Sequence, residues 1–211
     1  MALGVNQDLF DTARWLIGAI ARGLQDRGGE GVGEVLERLA RQNLDETQFH
    51  EAGARRIPAV RHFAECAAEI MIGDAGLAAA LAALGDQLHW RQSSAYSDAV
   101  LGEGFMDNYG WCELIGPRGF FAGNDFLLGL LLLGPGRHYK DHYHPAPELY
   151  WPLTGPSDWK KGAGGFETKA AGTIIWHPPL RMHATKTGAA PLLAVWCWTR
   201  DTETPASLAG A

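Results

Sequence analysis

The stretch Gly134-Pro-Gly-Arg-His-Tyr-Lys-Asp-His-Tyr-His-Pro-Ala-Pro-Glu-Leu-Tyr150 places His142, His144 and Glu148 between Tyr139 and Tyr150. His142 and His144 are two residues apart, so on a strand both side chains point to one face. Glu148 and Tyr150 repeat that relation. Pro145 and Pro147 interrupt the strand and bend the chain between the pairs, bringing Glu148 back across from the histidines. Two imidazoles and a carboxylate suit one borderline divalent ion: Zn as first choice, with Fe, Mn, Ni and Co open. A fourth ligand is expected from a later strand. His177, just before the Pro178-Pro179 turn, and His183, just after it, are both candidates on spacing.

Outward from this stretch, short apolar or alternating runs separated by Gly and Pro predict strands at 111–115, 126–133, 148–153, 173–177, 182–187 and 192–199. Such a series argues for a sandwich or barrel over residues 93–211. Residues 1–92 have the helical period instead. Leu9, Ala13, Leu16, Ile17, Ile20 and Leu24 form one buried stripe, which Gly28 and Gly29 end. Val32, Val35, Leu36 and Leu39 predict a second helix, Pro58 starts a third running to Met71, and Asp74 caps a fourth. The fold expected is mainly β with α, an N-terminal helical region packed on a C-terminal barrel as one compact unit. The helices leave a homodimer open. His50, His62 and His89 stand isolated and are read as structural or exposed.

Composition narrows the function classes. The chain has 211 residues, 46% of them hydrophobic and 20% charged, with a formal net charge of -6. A basic face is what draws nucleic acid or an anionic membrane, so neither is an expected partner. Cys66, Cys112 and Cys197 form neither a zinc spacing nor a disulfide framework and are read as buried thiols. No secretory signal pattern opens the chain, and the longest apolar run, 126–133, is too short to span a bilayer. The expected setting is cytoplasmic.

The motif resembles the cupins. Gly136, His142, His144, Glu148 and Gly155 match their first motif, and Gly172, Pro178 and His183 match their second, with Leu180 in place of a Gly and Thr187 in place of an Asn. The resemblance implies a jelly-roll barrel with His142, His144, Glu148 and His183 as the metal ligands, which favours His183 over His177.

The tyrosines add a second element. Tyr150 shares a strand face with Glu148, whereas Tyr139 has the wrong parity for the cavity unless the chain bends near Lys140. Tyrosine titrates near 10, too high for a base in water, but a neighbouring divalent cation favours the phenolate. Such a group abstracts weakly acidic protons. The plain alternative is a pair of wall aromatics with satisfied hydroxyls.

The whole pattern, Tyr139-x-x-His142-x-His144-x-x-x-Glu148-x-Tyr150 followed by His183, resembles the bacterial cupin-type dimethylsulfoniopropionate lyases. That resemblance implies a small zwitterionic substrate, cleaved by β-elimination to dimethyl sulfide and acrylate. Tyr150 is then the base, and Tyr139 orients substrate or serves as base in its place. The substrate's sulfonium would sit on an aromatic face. Trp196 and Trp198, two apart on the last strand, are the candidates, with Trp151 and Trp176 beside motif residues also open. A cupin dioxygenase or isomerase, and a cupin that binds a small ligand without turnover, are the competing functions.

Overall fold

A computed structural model describes residues 6–210. Helix α1 (Gln7–Arg27) starts where the Asn6 side chain accepts a hydrogen bond from the Leu9 N–H (3.3 Å) and stops at Gly28, whose φ is 61°. Its apolar stripe is the one the period predicts, and all of it is buried. Helix α2 spans Val32–Ala40. Pro58 does not open the third helix directly. It opens a 3-10 turn, Pro58–His62, that leads into α3 (Phe63–Gly73). Asp74 caps α4 (Ala75–Leu84), its carboxylate accepting the Leu77 N–H at 2.8 Å. A single-turn helix, α5 (Asp98–Leu101), was not foreseen, being too short to show a period.

Ten strands follow: β1 (Tyr109–Ile115), β2 (Leu127–Leu133), β3 (His138–Tyr143), β4 (Glu148–Pro152), β5 (Ser157–Lys161), β6 (Phe166–Lys169), β7 (Ile175–His177), β8 (His183–Thr187), β9 (Leu192–Trp198) and β10 (Ser207–Leu208). They form two antiparallel sheets of five, ordered β1-β2-β9-β4-β7 and β10-β3-β8-β5-β6. This is the cupin jelly roll with a helical region packed against it. All six predicted strands are present, with ends displaced by up to two residues. β3, β5, β6 and β10 carry no apolar run; β3 is expected only as the strand bearing His142, and the other three are not predicted.

The first sheet is buried on both faces. Its outer face gives Leu128, Leu130, Leu132, Leu149, Val195 and Cys197 to one core with the α1, α3 and α4 stripes. Its inner face gives Leu131, Leu133, Tyr150, Ala194 and Trp196 to a second core inside the barrel. Strand parity thus sorts one set of residues into a structural layer and a functional one. Close approach fixes the helix layer. The Trp151 ring lies so near Gly23 of α1 that a Cβ there would fall 2.3 Å from it, and the Arg27 guanidinium sits 4.3 Å above the same ring. Trp176 packs in the same way against Gly31. Both tryptophans therefore face the helices, which removes them as cavity residues.

Of the three isolated histidines, His62 bonds Asn108 (2.9 Å) and His89 bonds the Gly53 carbonyl (2.6 Å). Cys66, Cys112 and Cys197 are buried and unpaired. Among the described residues no helix is long and apolar enough to cross a membrane.

Candidate metal centre and its cavity

The Pro145–Pro147 link carries the chain from β3 in one sheet to β4 in the other. His144, at the start of that crossing, and Glu148, at the head of β4, consequently meet across the barrel. His183 arrives at the head of β8, beside β3 and in register with His142. A bulge between Tyr139 and His142 turns both inward despite their odd spacing, so Lys140 is exposed while Tyr139 and His142 are buried. The departures from the second cupin motif are absorbed locally. Thr187 Oγ1 donates to the Gly134 carbonyl (2.7 Å) and accepts from the Arg137 N–H (2.8 Å), tying β8 to the turn before β3. Leu180 takes the left-handed φ of 59° that a Gly would take freely, and its N–H donates to the His144 carbonyl at 2.9 Å.

His144, Glu148 and His183 each offer an atom within 4.8 Å of those of the other two, all three side chains buried. His144 Nδ1 lies 2.8 Å from the Ala146 carbonyl, and His183 Nδ1 lies 2.8 Å from the Arg181 carbonyl. A carbonyl only accepts, so both Nδ1 atoms carry hydrogen, and the Nε2 of each neutral ring carries a lone pair. Both Nε2 atoms lie 3.0 Å from the same oxygen, Oε2 of Glu148. Two lone pairs and a carboxylate oxygen repel one another at that distance unless a cation lies among them. The second carboxylate oxygen is fixed by the Trp198 indole N–H, 2.8 Å from Oε1. Burial by itself would raise the Glu148 pKa, but positive charge on His144 and His183 outweighs it and holds the carboxyl well below its usual range, so a cation at this point, proton or metal, is what keeps Glu148 ionised. The donor set therefore fits a divalent ion: borderline nitrogen and oxygen ligands, correct tautomers and backbone groups that hold the rings.

His142 stands beside this cluster and outside the three-residue group. Its Nδ1 also donates to a carbonyl, that of Lys140 (2.8 Å), while its ring lies 4.1 Å from that of His183 and stacks at 3.9 Å on Tyr139. His177, the other candidate on spacing, lies behind the cluster. Its ring stacks on His183 at 4.1 Å, both of its nitrogens are buried without partners among the described residues, and burial pushes its pKa down to about 2.

Through Glu148 the cluster borders a cavity of about 350 Å³ between the sheets. Tyr139, Tyr150, Trp196 and Trp198 all line it. Burial and the neighbouring Glu148 carboxylate raise the Tyr150 pKa well above 10, and burial does the same for Tyr139, so neither phenol ionises without a cation close by. Tyr139 also shares a hydrogen bond with the Tyr96 hydroxyl (2.8 Å). Tyr96, Tyr109, Trp111 and Glu113 line the same cavity and escaped the sequence reading. Parity along β1 puts Tyr109, Trp111 and Glu113 on one face, but only strand pairing shows which face that is.

Residues 32–194 match the family model described as dimethylsulfoniopropionate lyase. The chain is 32% identical over 125 residues to dimethylsulfoniopropionate lyase DddQ of Ruegeria pomeroyi, a match covering 59% of this chain and 61% of that protein. It is 28% identical over 130 residues to the DddL protein of Cereibacter sphaeroides, covering 61% and 53% respectively. The matches thus span between half and three-fifths of these relatives. The crystal structure of the Ruegeria pomeroyi DddQ superposes with a TM-score of 0.74 at 24% identity, covering 94% of this chain and 96% of that one, a likeness of fold.

Proposed function

The chain belongs to the dimethylsulfoniopropionate lyase family, and on that premise we propose that it cleaves dimethylsulfoniopropionate to dimethyl sulfide and acrylate with a metal-assisted tyrosine base. The carrying observation is the meeting of His144 Nε2 and His183 Nε2 on Glu148 Oε2, a carboxylate that lines one cavity with Tyr150. His144, Glu148 and His183 hold one divalent ion, Zn as first choice, and His142 supplies the outlying fourth ligand. When bound, that ion supplies positive charge that binds the substrate carboxylate, offsets charge developing at its α carbon and favours the Tyr150 phenolate.

The side chains do the rest. Tyr150, on the same strand face as Glu148, takes the proton from the carbon α to the carboxylate. The electron pair of that C–H bond becomes the second bond between the α and β carbons. The C–S bond breaks, its pair leaves on sulfur as dimethyl sulfide, and acrylate remains. Sulfur departs neutral and needs no acid. Tyr139, held by Tyr96 and stacked on His142, orients the substrate and is next in line as base. Trp198 fixes the Glu148 carboxylate through its N–H, and Trp196 offers its ring to the positive end of the substrate.

Headspace measurement of dimethyl sulfide from metal-loaded protein tests the proposal. Wild type should release it, and Tyr150→Phe should be slower by about 10²- to 10⁴-fold, the usual worth of a general base. Wild-type inactivity with every candidate metal would reject the lyase, and full activity in Tyr150→Phe would move the base to Tyr139.

A further inference from the structure

The wall of the cavity far from the metal ligands contains a buried carboxylate that the reaction above does not use. Glu113, Gly129, Trp196 and Tyr150 are consecutive partners across β1, β2, β9 and β4, so they form one lateral row on the inner face. Tyr150 lies at the reactive end of the row and Glu113 at the other, about 14 Å away between Cα atoms at the usual spacing of strands. Gly129 keeps the row open: a Cβ there would fall 2.8 Å from Trp196 Nε1 and 1.9 Å from the Cys112 carbonyl oxygen. The Trp196 indole leans over that gap and meets the Trp111 ring edge to face, at 5.8 Å and 89°. Its Nε1–H is buried and has no acceptor among the described residues.

Glu113 closes this corner. It is 5% exposed, and its Oε2 accepts the Arg118 N–H at 2.7 Å. Its Oε1 lies 3.8 Å from the guanidinium of Arg91, beyond hydrogen-bond reach. The same guanidinium sits 4.9 Å above the Trp111 ring. The corner thus already accommodates a cation, supplied by the chain itself on a partly exposed arm. An indole face and a carboxylate with one weakly paired oxygen are the features that recognise a charged group without donors of its own. Burial raises the Glu113 pKa against the pull of Arg118 and Arg91, so a second cation at this corner would favour its ionised form.

We propose that Trp111, Trp196 and Glu113 form the subsite for a ligand's permanently charged onium group, sulfonium or quaternary ammonium, and that Arg91 is its internal competitor. The assignment deepens the lyase reading and rests on it for the orientation of the ligand, carboxylate toward Glu148 and onium toward Glu113. It makes Glu113 and Trp111 determinants of specificity for zwitterions over neutral acids.

Isothermal titration of the metal-loaded protein with tetramethylammonium tests it without any turnover. Wild type should bind tetramethylammonium in preference to tert-butanol, a neutral probe of similar shape. Glu113→Gln should weaken that binding on the order of tenfold, as the loss of a close charge does. Arg91→Gln should tighten it several-fold by removing the competitor. If Arg91 and Glu113 were only a structural pair, both variants would weaken binding together, and that result overturns the proposal. Equal binding of the two probes by wild type overturns it without recourse to variants. Cation binding that depends on Glu113 in a protein releasing no dimethyl sulfide would retain the subsite and remove the lyase reading. An active lyase whose probe affinity ignores Glu113 would do the reverse.

Discussion

Strand β2 reads Leu-Leu-Gly-Leu-Leu-Leu-Leu and strand β5 reads Ser-Asp-Trp-Lys-Lys, and the contrast runs through the two sheets they belong to. The first sheet is covered by helices outside and by the cavity wall inside, so its strands are nearly continuous apolar runs. The second sheet has one covered face. β3 and β5 interleave buried with partly exposed or exposed residues, β6 has only partly exposed and exposed ones, and ion pairs such as Lys160–Asp141 (2.9 Å) lie on the sheet. The metal-ligand candidates come from the seam: Glu148 from the apolar sheet, His142 and His183 from the amphipathic one, and His144 from the crossing between them. One sheet anchors the site to the protein's main core, while the other supplies imidazoles from strands whose outer faces meet water.

If that division holds, damage to the outer face of the first sheet should cost stability and spare chemistry. Leu130 is fully buried against the helix layer, and Leu130→Ala should destabilise the fold by about 2–5 kcal/mol in urea unfolding while KM stays unchanged. A large change in KM at full stability would break the separation of the two faces.

The next effect belongs to the seam. In the unfolded chain His177 titrates near 6.5, and in the fold burial pushes it down to about 2. Between those values the unfolded state binds a proton that the folded state does not, so stability falls as pH drops below 6.5. The loss attributable to His177 should reach about 2 kcal/mol by pH 5, at roughly 1.4 kcal/mol per pH unit. Unfolding midpoints at pH 7 and pH 5 check this, and His177→Gln should flatten the slope whatever it does to stability at neutral pH. An identical slope in the variant would mean that another group carries the acid sensitivity.

The smallest effect is at the turn between His177 and His183. Leu180 holds φ of 59° and is 62% exposed, so it pays for a left-handed backbone with little packing in return. Leu180→Gly relieves about 1–2 kcal/mol of strain and loses about 0.4–1 kcal/mol to the freer unfolded chain, leaving a net gain of about 0.5–1 kcal/mol in thermal unfolding. A destabilised variant would show that the leucine makes contacts outweighing its strain.

The same contrast explains what the sequence revealed. The apolar sheet and the helices were legible because burial on a fixed face writes a period: Leu16, Ile20 and Leu24 for α1, and the leucine run for β2. β5 and β6 were illegible because a half-exposed strand of Asp, Lys, Glu and Thr has no such pattern. The inward turn of both Tyr139 and His142 depends on a bulge near Lys140, which parity could pose only as a condition. Trp151 and Trp176 adjoin motif residues along the chain yet face the helices, since neighbours along a strand point to opposite sides. Glu113 and Trp111 belong to the cavity through pairings that no local spacing encodes.

Metal analysis of the purified protein tests most directly whether the two sheets converge on one ion. After reconstitution, wild type should carry close to one divalent ion per chain, and His144→Ala, Glu148→Gln and His183→Ala should each lose it while His177→Gln retains it. Full metal occupancy in His183→Ala, or none in reconstituted wild type, would contradict the account.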